Sequence, residues 1–264
     1  MRNKLTDELA VCGFNAAAAA AEYHPEKINR LFLREDRLKS FTGVCRRLAE
    51  RKRPYKLCGD EELERICKSG HHQGVVAMIE MPMVEGAGEE DLALWASEGL
   101  TGLVLHSVGN DHNLGAIVRA AAFFDVRFVV LGESEGGAVL STSAYRVAEG
   151  GMEHVVIRSV RNTAAFLRDA SKRIVTIGAD IRARLRLRDL PSLLDRPAPG
   201  ALSGAAGGKG RSGVAVVLGN EETGLPREVK ERCSALVRIP GTGNIESLNV
   251  AQAAALFLHG IFER

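Results

Sequence analysis

Apolar residues fall along this chain in two patterns: short runs that are apolar at nearly every position, and longer stretches where they recur every three or four residues. In the first third, INRLFLR (28–34), YKLC (55–58) and VVAMIEM (75–81) read as strands. Helices are predicted from about Asn15, over FTGVCRRLAER (41–51) and over GDEELERICKS (59–69). The alternation predicts a compact α/β unit ending near Met83. The following VEGAGEED (84–91), rich in glycine and acid, reads as a hinge or linker.

From Leu100 the strands become more uniformly apolar: TGLVLHS, VRFVVLG, EHVVIRS, RIVTIGA, GVAVVLG and ALVRIP. Helices are expected between them: one from Asn113, then SAYRVAEGG, NTAAFLRDASK, PREVKERC and an Ala-rich terminal helix. Strands apolar on both faces, alternating with helices, imply a mostly parallel sheet covered on two sides. The expected organisation is a small α/β domain over 1–84, a linker and connecting helix over 85–99, and a larger α/β domain over 100–264. DRPAPGALSGAAGGKGRSG (195–213) reads as a mobile loop, its Gly-rich part being 197–213.

The composition, 264 residues with 45% hydrophobic and 26% charged, is that of a globular protein. MRNKLTDELA carries two acids and no cleavage pattern, so no signal peptide or membrane span is expected and the protein reads as cytoplasmic. Five cysteines without a C-x-x-C pair argue against a disulfide framework or zinc site, and His71, His72, His106 and His112 lack metal-ligand spacing, so no metal is expected. Net charge is only +2, but Arg158–Arg188 holds nine basic residues against Asp169 and Asp180. A second cluster joins Arg46, Arg47, Arg51, Lys52, Arg53 and Lys56. Each cluster alone is either a solvated face or a polyanion contact.

Three segments carry candidate chemistry. In GNDHNLGAIVRAAAFFDV, Asn113, Gly115 and Arg119 share a strand-to-helix junction, with Asn113 as the expected N-cap. Arg119, among Ala, Ile, Val and Phe, is either a snorkelling structural arginine or one held for a ligand. VVLGNEETGLP takes a buried strand into a turn at Gly219, Asn220, Glu221 and Gly224, the end of the strand where open α/β sheets bind ligands. VRIPGTGNIESLNVAQ runs from a strand through a Gly-rich loop, past Ser247 and Asn249, into the last helix. One N-cap explains one of these polar residues, not both.

In this order, N-x-x-N-x-G-x-x-x-R, L-G-N-E-x-x-G-L and I-P…S-L-N-V, the segments resemble the SpoU/TrmH family of S-adenosylmethionine-dependent RNA ribose 2′-O-methyltransferases. The resemblance covers about 100–264. The first unit, ending in HHQGVVAMIE, is similar to the RNA-substrate domain of members acting on large-subunit ribosomal RNA. The resemblance implies a deep trefoil knot made by the C-terminal segment, which general topology rules would not anticipate. It also implies a homodimer with its active site near the interface, the small residues Ala251, Ala253, Ala254 and Ala255 suiting close helix packing. Arg119 becomes the leading catalytic residue, with Asn113, Glu221, Ser247 and Asn249 as its polar surroundings. Gly219, Ile239 and Leu248, with Leu218, Asn220 and Gly224, become the cofactor wall. Arg46, Arg47, Arg51 and Arg53, and Arg182, Arg184, Arg186 and Arg188, become candidate RNA contacts.

The chain departs from the family at Asp111, where relatives usually carry proline, and at Gly241, where a bulky residue is common. The Gly-rich insertion is also long. Alternatives are a transfer-RNA 2′-O-methyltransferase or a non-catalytic RNA-binding relative; the latter predicts loss of Arg119 or S-L-N, and both are present. A conventional nucleotide-binding enzyme would need G-x-G-x-x-G after its first strand, which GNDHNLG does not supply.

Overall fold

A computed structural model describes residues 2–3, 7–132, 140–195 and 212–263. The chain divides into two compact units. One comprises Met1–Met83, Leu114–Arg119 and Val139–His154; the other Val84–Asn113, Ala120–Ala138 and Val155–Arg264.

The first unit holds β1 (Arg2–Asn3), β2 (Glu8–Cys12), α1 (Phe14–Tyr23), β3 (Ile28–Leu33), α2 (Leu38–Glu50), β4 (Tyr55–Leu57), α3 (Asp60–Cys67) and β5 (Val75–Glu80). Its sheet order is β1-β2-β5-β3-β4. The pairs are antiparallel except β3 with β4, which is parallel. The fully buried strand β2 went unread in the sequence, since ELAVC runs straight into an alanine-rich helix with no turn residues beyond Gly13. Ala10, Cys12, Leu63, Cys67, Val76 and Met78 form a core between α3 and the sheet. The five cysteines are free.

The remaining elements, in chain order, are β6 (Glu85–Gly86), α4 (Glu89–Ser97), β7 (Thr101–His106), α5 (Asp111–Phe123), β8 (Phe128–Gly132), α6 (Thr142–Ala148), β9 (Val156–Val160), α7 (Thr163–Ala170), β10 (Val175–Ala179), β11 (Leu185–Arg186), α8 (Leu190–Leu194), β12 (Val214–Leu218), α9 (Arg227–Lys230), β13 (Ala235–Arg238) and α10 (Val250–Phe262). Of these, α6 packs on β2 in the first unit. There Gly115 of α5 is needed for close approach: a Cβ would stand 2.5 Å from the Ala144 carbonyl oxygen of α6.

The second unit is built on an eight-stranded sheet, ordered β11-β13-β10-β12-β7-β8-β9-β6, and every pairing is parallel. Its central strand β12 is buried throughout, as its unbroken apolar run requires. Within the stretch expected to be a hinge or linker, Glu85 and Gly86 form β6 and pair with Arg158 and Ser159 of β9. The expected Gly-rich loop lies almost wholly outside the described residues. Among the described residues no helix is long and apolar enough to cross a membrane, and no cluster of three His, Cys, Asp or Glu could hold a metal.

Trp95 of α4 closes the core of this sheet. Its ring stacks on Phe128 at 5.1 Å between centroids, and its indole N–H donates to the carbonyls of Leu100 at 3.0 Å and Val214 at 3.1 Å. Trp95→Phe keeps most of the packing but removes the shared donor from buried carbonyls. It is expected to lower stability by about 1–3 kcal/mol, read as a reduced urea midpoint with unchanged slope; an unchanged midpoint would show that the indole donor contributes nothing.

Candidate active site

Because the strands are parallel, β7, β12 and β13 all release the chain at the same edge of the sheet, and the three motifs are the segments that leave there. The turn after β12 is held by its own polar groups. The Asn220 side-chain oxygen accepts from the Glu222 N–H at 2.9 Å, the Thr223 N–H at 3.1 Å and the Thr223 hydroxyl at 3.3 Å. Its side-chain nitrogen donates to the Ser107 carbonyl at 3.0 Å, which ties the exit of β12 to that of β7. Ser107 is itself left-handed, with φ 57°, an uncommon state for a residue with a side chain. At Gly219 only glycine fits, since a Cβ would stand 2.4 Å from the carbonyl carbon of Gly224.

The helix α5 begins earlier than the sequence suggested. Asn110, not Asn113, is its N-cap, accepting from the His112 N–H at 2.8 Å, and Asp111 occupies the first turn, where a carboxylate meets the positive end of the helix. This frees the Asn113 side chain for longer reach. Its amide nitrogen donates to Glu221 Oε1 at 2.5 Å, and its oxygen accepts from Asn249 Nδ2 at 3.0 Å. Asn249 in turn caps α10, accepting from the Ala251 N–H at 2.9 Å. One hydrogen-bonded series therefore runs from the start of α10 through Asn249 and Asn113 to Glu221, joining all three motifs.

A sequence profile described as the SpoU rRNA Methylase family matches residues 101–259, the segment that carries this network. The chain belongs to that family. A second profile, RNA 2′-O ribose methyltransferase substrate binding, matches 10–84. A Nitrosomonas europaea protein named 23S rRNA (guanosine-2′-O-)-methyltransferase RlmB is 31% identical, the match covering 98% of this chain and 93% of its own. A Bordetella pertussis protein of the same name is 30% identical over 94% of each. The SpoU methyltransferase AviRb from Streptomyces viridochromogenes, solved with AdoMet, shares the fold at a TM-score of 0.74 and 20% identity, covering 100% of this chain and 93% of its own.

Within this SpoU chain, Asn113, Glu221 and Asn249 come together, while Ser247 stands exposed in the loop before α10 with no side-chain partner among the described residues. Ser247 and Asn249 stand at the threshold of the last helix: 241–249 is exposed and burial begins at Val250. Ile245 and Leu248 leave 81% and 49% of their surface open in that loop. Leu218 is buried in the sheet, so only its backbone can meet a ligand, and Ile239 is half-buried. The Asn220 side chain, expected in the cofactor wall, is taken up in shaping the turn. Arg119 is exposed on α5, and no described residue pairs with it.

The basic candidates are all exposed, but they are not equally free. Arg53 hydrogen-bonds to the Asn29 side chain and Arg51 reaches the Glu26 carbonyl at 3.4 Å, whereas Arg46 and Arg47 make no side-chain pair among the described residues. On the other cluster, Arg188 lies 4.0 Å from Asp189, and the side chains of Arg182, Arg184 and Arg186 stay unpaired among the described residues.

Asn113→Ala removes both bonds of the network. Since the three side chains can fall back on water, the global cost is expected to be about 1 kcal/mol. Amide exchange should nonetheless accelerate both at Ala251 and over 222–224; acceleration in one segment alone would contradict a shared tether.

Proposed function

We infer that this chain transfers a methyl group from S-adenosylmethionine to a ribose 2′-hydroxyl of RNA, with 23S ribosomal RNA as its substrate. The observation that carries the reading is the Asn249–Asn113–Glu221 series inside the segment matched to the SpoU family. The relatives' names support ribosomal RNA as substrate, and the match over 10–84 supports an RNA-holding role for the first unit.

The residues present fit the methyl donor. Beside the polar network, the loop leaving β13 turns Ile245 and Leu248 outward as apolar surface, and Gly241 and Gly243 leave open space around its backbone. Gly219, Gly224, Ile239 and Leu248 would hold it, the first two through backbone that no side chain screens. When bound, the donor supplies an electrophilic methyl on a sulfonium centre. The protein's task is to align the ribose hydroxyl and compensate the charge that grows on its oxygen. Arg119 does the second: a guanidinium keeps its proton at neutral pH, so it stabilises the oxyanion rather than acting as base. Ser247, Asn249 and Glu221 offer the uncharged and charged acceptors that orient the sugar.

We propose that the working form is a cytoplasmic homodimer with the knot typical of the family. Phe123 and Phe262 are 80% and 61% exposed, and both rings contact Phe124, at 5.0 and 5.6 Å between centroids, so the second unit carries an aromatic patch of the kind that interfaces cover. Phe262→Glu is expected to shift sedimentation from dimer to monomer; a wild type that sediments as a monomer would remove the dimer.

Arg119→Ala is expected to lower the single-turnover methyl-transfer rate by roughly a hundredfold or more while leaving S-adenosylmethionine affinity by calorimetry unchanged. A near-normal rate would end the assignment of Arg119, and absence of donor binding by the wild type would end the enzymatic reading.

A further inference from the structure

The first unit carries an open pocket of ≈ 290 Å³ that none of the three motifs lines. Its wall contains Glu153, whose side chain is only 8% exposed. The imidazole Nε2 of His24 stands 3.6 Å from Glu153 Oε2, beyond hydrogen-bond reach, and the other ring nitrogen of His24 faces Glu26 at 3.3 Å. Among the described residues no donor hydrogen-bonds to the Glu153 carboxylate. Burial pushes its pKa above the ordinary value, and His24 and Lys27 offset only part of that. A ligand that enters the cavity and displaces solvent from this carboxylate must supply it with donors.

The rest of the wall narrows what that is. Tyr145, 8% exposed, lines the same cavity; burial pushes its phenol up, so it stays a neutral O–H donor, and no described residue accepts from it. Met81 and Met83 give apolar walls, Met83 being 90% exposed at the mouth, and Lys27 adds a cation. A ligand that uses all of these groups presents apolar faces to the methionines, N–H donors to the carboxylate and an acceptor to the phenol. The Watson–Crick edge of guanine has that sequence: N2–H, N1–H and O6. Adenine and cytosine each place a ring-nitrogen acceptor beside their amine, and uracil flanks its single N–H with two carbonyls that a carboxylate would repel.

We propose that this cavity takes an unpaired guanine base of the RNA substrate, with Glu153 accepting from N1–H and N2–H, Tyr145 donating to O6, and Lys27 serving the nucleotide's phosphate. From the proposed function it takes only that the ligand is RNA. It adds a base-specific subsite within the first unit.

The test is calorimetry of the full chain with guanosine, inosine and adenosine 5′-monophosphates. Inosine differs from guanosine only by lacking the N2 amine, so the wild type should bind the guanosine nucleotide about tenfold more tightly than the inosine one, with adenosine weaker still. Glu153→Gln should erase that preference while unfolding temperature and S-adenosylmethionine affinity stay unchanged. Equal affinity for guanosine and inosine nucleotides in the wild type overturns the proposal without need of any variant, and so does a preference that survives in a folded Glu153→Gln. Failure of methyl transfer with the guanine preference intact would remove the activity and leave the pocket. Intact transfer without the preference would do the reverse.

Discussion

The side-chain amide of Asn113 is the constraint on which the candidate site depends. An amide is a neutral side chain that donates at one end and accepts at the other, and here both ends are engaged, toward Glu221 and toward Asn249. Three loops that leave separate strands are thereby referred to a single point on α5. Neither a carboxylate nor an aliphatic residue could do this, since one lacks the donor and the other lacks both functions.

The network is modest in energy and large in geometric effect. Each bond between partly exposed groups contributes on the order of 1 kcal/mol, too little to define the fold. The frame comes from the parallel sheet, from Trp95 beneath it and from the close-packed turn at Gly219. What the amide series adds is a fixed spacing between loops that are otherwise open to solvent. Transfer of a methyl group to a weak nucleophile depends chiefly on such alignment. In the proposed reading, donor and RNA cover the exposed apolar side chains of Ile245 and Leu248, and a second protomer covers the aromatic patch near Phe262.

Much of this was legible in the chain itself. The uninterrupted apolar runs at TGLVLHS and GVAVVLG announce strands buried on both faces, and in the observed sheet β12 pairs in parallel with both β7 and β10. The motif order pointed to the SpoU family. What escaped were features set by neighbours distant in sequence. Strand β6 is two residues in an acidic, glycine-containing stretch, and it exists only because β9 offers an open edge. Asn113 looked like an N-cap because Asn, Asp and His crowd 110–113; the cap is Asn110, and the next residue being an acid was the available signal. The Asn220 side chain also holds the turn and reaches Ser107, a role that no spacing rule reveals. Glu153 lay outside every motif, and its interest arises only from burial.

The most direct measurement is a double-mutant cycle on S-adenosylmethionine affinity, combining Asn113→Ala with Asn249→Ala in the full chain. If the two amides hold one donor site through their mutual bond, the second substitution should cost little once the first is made, leaving a coupling of about 1 kcal/mol. Strictly additive losses, or no loss from either substitution, would mean that the loops are not held through Asn113 and that the donor site must be sought elsewhere.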